Sequence, residues 1–158
     1  MARHTSVSYD RYRGHNGVFQ NILKVPGFDQ NHQHTKQELE AYIRDQATLL
    51  LPFATLLEAG NHIAQLSDGG QRRKYAETYQ EQVRLAVDGT APWRPIAPPD
   101  LDAVRRWLEQ FPDGCMRGLG ISDVSIVEEW EQTRVRHAQT RVRIWSLDAH
   151  LSGYDRSP

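Results

Sequence analysis

Apolar residues recur along this chain at spacings of three and four, the signature of helices with one buried face. TKQE, with Thr35 three residues ahead of Glu38, is a capping-box pattern that predicts a helix start. Leu39, Ile43, Ala47 and Leu50 then share a face. Pro52 interrupts, but Ala54, Leu57 and Ala64 keep the phase, so the pattern fits either a kinked helix over 35–66 or two helices meeting at Leu51. SDGG at 67–70 ends it. A second helix is expected over 71–87, with Tyr75, Tyr79, Val83 and Ala86 inward and Asp88-Gly89 as its stop. The segment 90–99, TAPWRPIAPP, is too rich in proline for a helix and reads as an extended crossover pinned by Trp93 and Ile96.

Asp100 opens a short helix to about Phe111, with Leu101, Val104, Trp107 and Leu108 inward. PDGCMRGLG at 112–120 reads as a glycine-rich loop, followed from Ser122 as N-cap by the longest pattern in the chain. Over 121–152 there is no glycine or proline, which predicts a rod of about 45 Å. Val135, Ala138, Val142, Trp145 and Ala149 form a heptad-like seam on it. Ile126, Ile144, Leu147 and Leu151 form a second strip.

These elements define an all-α class: a single-domain helical bundle of about four to five helices, with a long C-terminal helix packed on the first. Residues 1–34 lack sustained periodicity and form an irregular N-terminal docking arm. Its Tyr9, Tyr12, Val18, Phe19, Ile22 and Leu23 need a surface to cover them. The helical domain is 35–158.

Composition narrows the function. Of 158 residues, 25% are charged and the net charge is -1, so no global field favours nucleic acid or membrane. Cys115 is the sole cysteine, which excludes an internal disulfide framework and a multi-cysteine metal site and agrees with a cytoplasmic location. The basic N-terminus is not followed by the apolar stretch of a secretory signal. TLLLPFATLL at 48–57, the longest apolar run, falls far short of the ~20 residues that span a bilayer. Basic charge is mostly arginine, with lysine at Lys24, Lys36 and Lys74 alone.

Local clusters supply the candidate sites. Arg72, Arg73 and Lys74 occupy the first turn of a helix, the wrong sign for its dipole and therefore a candidate anion site. Arg134 and Arg141 fall in one row with Trp130 and Asp148 between the two apolar strips of the long helix, whereas Arg136 and Arg143 point away. Desolvated arginines need partners: internal pairing with Glu131 and stacking on Trp130 or Trp145 lead, and a phosphate, nucleic-acid backbone or acidic surface is the alternative. Glu58 and His62, four apart, with His137 and Glu38, form a candidate metal set, without the repeated Glu-x-x-His of di-iron bundles. His32 and His34 make an HxH pair near Asp29. Cys115 ahead of a helix N-terminus is a candidate thiolate. Gly114, Arg117, Gly118 and Gly120 ahead of Ser122 form a candidate anion loop, though without P-loop spacing.

The leading expectation is a small non-enzymatic subunit or adaptor. It docks through its arm and exposed faces on a protein subunit or another copy of itself, with nucleic acid as a candidate anionic partner of Arg72, Arg73, Arg134 and Arg141. No cofactor and no membrane are expected. The rival is a small helical-bundle enzyme or a metal or haem binder built on Glu58, His62, His137 and Cys115.

Overall fold

Helix α1, His32–Arg44, stops where the sequence pattern still allows it to run on. Gln46 turns left-handed at φ 59°, and the Ala47 and Gln46 amides donate back to the Tyr42 and Ile43 carbonyls at 2.8 and 3.1 Å. That pair of bonds is the Schellman closure of a helix C-terminus. The computed structural model, which describes residues 32–146 and 149–157, then enters strand β1, Leu49–Leu51. Pro52, at φ -60° and ψ 145°, is the N-cap residue of α2, Phe53–Ala64. The first long pattern is therefore two helices with a strand between them, and Thr35 lies buried inside α1 rather than at its start. Most of the expected arm falls outside the described residues.

Helix α3, Gly69–Val87, is capped by Asp68, which accepts from the Gln71 amide at 2.7 Å. Gly89, at φ 72°, closes it with the same Schellman pair, Thr90 to Leu85 and Gly89 to Ala86. The proline-rich crossover supplies strand β2, Trp93–Pro95, which pairs parallel to β1 with Leu49 opposite Trp93. The Ile96 amide extends the pairing to the Leu51 carbonyl at 2.9 Å. Parallel strands need a long crossover, and α2 with α3 provides it.

Helix α4, Leu101–Met116, carries Pro112 inside it, so the expected loop at 112–120 is helical for its first half. Gly118, at φ 84°, ends it through bonds from Leu119 and Gly118 to Gly114 and Cys115. Leu101 and Leu108, expected inward, are 73% and 59% exposed. Helix α5, Ile121–Arg136, folds back on α4, and Gly120 rather than Ser122 is its N-cap residue. A Cβ on Gly114 would lie 2.7 Å from Val124 Cγ2, which shows how tightly the two helices cross.

The rod expected over 121–152 does not form. Helix α5 ends at Arg136, and the chain returns through strand β3, Val142–Arg143, a 3-10 turn at Ala149–Leu151, and strand β4, Asp155–Arg156, antiparallel to β3. Val142 and Ile144 alternate with half-buried Arg143, the period of a strand. They close a core with Ile126, Trp130 and Leu151. Trp130 Nε1 donates to the Val142 carbonyl at 3.0 Å, and Tyr154 meets its ring edge-on. This bond requires the reversal, since a continuous helix would hold Val142 about 18 Å further along its axis. Val135, placed in the seam by its spacing, is 68% exposed.

A second core joins Leu39 and Leu49 to Tyr42, Ile43, Trp93 and Trp145. Trp145 Nε1 donates to Glu38 Oε2 at 3.0 Å, and the Arg143 guanidinium lies 4.4 Å from the Tyr42 ring centre. The fold is thus mostly helical with two small two-stranded sheets, rather than purely α.

Candidate functional site

The basic turn of α3 is tied into its own surroundings. Asp68 supplies the negative charge that the helix start lacks. Arg72 reaches back to the Leu66 and Ser67 carbonyls at 2.7 and 3.1 Å, satisfying acceptors just past α2. Arg73 pairs with Glu77 at 2.9 Å, and Lys74 is exposed beside them.

Arg134 and Arg141 do not share a row, because α5 stops between them. Arg134 places two nitrogens on Glu131 Oε2 at 3.0 and 2.7 Å and sits 5.7 Å from the Trp130 ring centre. Arg141 grips Asp155 with a bidentate fork at 2.9 and 2.5 Å across the β3–β4 pair. That fork holds the Asp155 carboxyl below its ordinary value. The basic residues singled out in the sequence are therefore distributed, and three of them are neutralised by carboxylates of the chain itself.

The metal set is not gathered at one point. Glu58 accepts from the Ser122 hydroxyl at the start of α5, with His62 one turn further along α2. His137 is the C-cap residue at the other end of α5, about 22 Å along the axis from Ser122. Among the described residues no three His, Cys, Asp or Glu side chains are grouped as metal ligands. Of the HxH pair, His34 lies 3.6 Å from Glu38, while Asp29 is outside the described residues. Cys115 is exposed in the last turn of α4, not at a helix N-terminus. The anion loop is occupied by the chain: the Gly120 amide donates to Asp123 Oδ2 at 2.8 Å.

The structure instead assembles two features that the sequence did not display. One is an open cleft where α4 and α5 meet the proline-rich crossover, walled by Pro52, Phe53, Ile96, Pro99 and Trp107. Buried Glu128 accepts from Arg106 Nε at 2.6 Å and from Gln132 at 3.3 Å. Glu129 beside it lies 3.6 Å from Arg136. Burial pushes the Glu129 carboxyl above its ordinary value, against the pull of Arg136. Half-buried carboxyls of this kind are suited to holding and releasing a proton. Arg106 and Glu128 are 22 residues apart, and no local pattern links them.

The other is a ridge along α4. Leu101, Leu108 and Met116 are 73%, 59% and 88% exposed, with Pro112 and Cys115 exposed in the same stripe. The spacing of seven between Leu101, Leu108 and Cys115 was the available signal, since it places all three on one face. Arg105, paired with Asp102, fills the gap between the leucines. Comparison of the chain with protein-family models, curated proteins and solved structures finds no match. Fold and surface thus define a mostly helical protein; among the described residues an apolar face of α4 is left exposed, and no helix is long and apolar enough to cross a membrane.

Proposed function

We propose that this chain is a small non-enzymatic helical subunit or adaptor that docks in a protein assembly. The observation that carries this reading is the exposed ridge of Leu101, Leu108 and Met116 on α4. An apolar stripe, broken by Arg105 alone between its two leucines, that no part of the described chain covers gains by burial against a partner, roughly 25 cal/mol per Å² removed from water. The internal pairing of Arg73, Arg134 and Arg141 favours a protein partner over a polyanion, because those guanidiniums already have carboxylates. Of the basic candidates, Arg72, held by backbone carbonyls, and Lys74 have no carboxylate partner among the described residues and would be the ones to meet an anionic partner such as nucleic acid.

The test is native mass analysis and size-exclusion chromatography of the full chain purified from its source, beside a Leu101→Lys/Leu108→Lys variant. The wild type is expected in a stoichiometric complex. The variant should lose the complex and keep its melting temperature, since both side chains are exposed. A monomeric, partner-free wild type overturns the reading. The half-buried Glu129 favours the rival, a small helical enzyme; a visible absorption band, bound metal or turnover lost in Glu129→Gln would establish that rival instead.

A further inference from the structure

The carboxylates beside the α4 ridge identify the chemistry of what covers it. On the helical wheel Glu109 and Asp113 follow one edge of the stripe, four residues apart, with Asp102 about two turns before Glu109. Asp102 is paired with Arg105. Glu109 and Asp113 are exposed and make no ion pair with the described residues. Asp113 stands in the last turn of α4, where negative charge opposes the dipole, and the Arg117 guanidinium at the C-cap donates to the Asp113 backbone carbonyl at 3.2 Å rather than to either carboxylate. Pro112 adds to this, having no N–H to return to the Leu108 carbonyl on the same exposed face. Two carboxylates and a backbone acceptor thus line an apolar stripe about 22 Å long. Cations supplied from outside would offset the unfavourable charge.

We infer that α4 receives an amphipathic helix of a protein partner, one whose apolar seam packs on Leu101, Leu108 and Met116 and whose lysine or arginine edge lies along Glu109 and Asp113. Four turns of α4 match four turns of such a helix, and the paired edges set its side and direction. The inference rests on the docking reading above and adds the partner's chemistry to it.

Two synthetic helical peptides with the same leucine seam, one with a lysine edge and one with a glutamate edge, are titrated against the full chain by fluorescence anisotropy. The lysine-edged peptide should bind about tenfold more tightly, as expected for two partly exposed charge pairs, and the gap should shrink with salt. Leu108→Lys should abolish binding of both. Glu109→Lys/Asp113→Lys should reverse the preference, a result that folding defects do not produce because the opposite peptide gains affinity. Cys115, the single cysteine and on the ridge, carries a photo-crosslinker to report the occupant. Cross-linking to the lysine-edged peptide supports the assignment. Equal affinity for the two peptides, or cross-linking to a second copy or to the chain's own residues in the presence of the peptide, overturns it. Equal peptide affinities together with a native complex that Leu101→Lys/Leu108→Lys still disrupts would reject the basic helix while leaving the docking function standing.

Discussion

Gln46 occupies a position that its two counterparts fill with glycine. Helices α1, α3 and α4 end in the same paired bonds, around Gln46, Gly89 and Gly118 at φ 59°, 72° and 84°. A side chain in the left-handed region crowds its own carbonyl, whereas glycine does not, at the expense of greater freedom in the unfolded chain. Gln46→Gly should therefore raise stability by about 0.5–1 kcal/mol in urea unfolding; a decrease would show that the Gln46 side chain contributes more than its strain. Indole donors offer a second contrast. Trp130 Nε1 holds the Val142 carbonyl, while Trp107 Nε1 is buried without an acceptor among the described residues. Trp130→Phe removes this hydrogen bond and should cost about 0.5–1.5 kcal/mol beyond the lost volume. Trp107→Phe removes an unsatisfied donor and should cost less. Equal losses would dissociate the Trp130 bond from the reversal it is placed to hold.

Among elements, α4 and α5 cross closely, and Gly114 permits it. Gly114→Ala must displace Val124 and should lose about 1–2 kcal/mol even after the helix-propensity gain of alanine. Gly60→Ala in α2 meets nothing within 4 Å and should gain roughly 0.5–1 kcal/mol. Thermal melts of the two variants should move in opposite directions; a shift of the same sign would place the crossing elsewhere. Element boundaries were legible where the cause is local. Gly89 stopped α3 as its sequence indicated, and Glu131 lay close enough along the chain to be named as the partner of Arg134. They were illegible where the cause is distant. Val142, Trp145 and Ala149 satisfy a heptad, yet Val142 and Ile144 also alternate as in a strand, and the Trp130 indole decides between the two from twelve residues away. Pro112 reads as a stop because proline removes a hydrogen bond, but on an exposed face α4 tolerates that loss. The Arg106–Glu128 pair, made by two helices folding together, left no trace in either helix alone.

At the scale of the molecule, charge among the described residues is settled mostly by local pairs, which makes the carboxyls of exceptional environment the ones that shape its response to pH. Asp155, held below its ordinary value by Arg141, stabilises the fold above the unfolded-state pKa, and that contribution is lost as pH falls through the lower folded value. Glu129 acts in the opposite sense. Burial raises its pKa above 4.5, so the folded protein binds its proton more tightly than the unfolded chain does. Its stabilising share is full below 4.5 and is lost as pH rises through the folded value. Glu129→Gln removes the ionisation and keeps the shape. The variant should be more stable than the wild type at pH 7, by on the order of 1 kcal/mol or less, and the two should converge as the wild-type carboxyl takes up its proton. Chemical unfolding at a series of pH values reads the difference directly, and Asp155 cancels from it because both proteins carry the Arg141 fork. A Glu129→Gln protein that is less stable at neutral pH, by an amount that does not change on acidification, would mean that the contact with Arg136 outweighs burial. The cleft would then be a structural ion-pair site with no protonated carboxyl to offer.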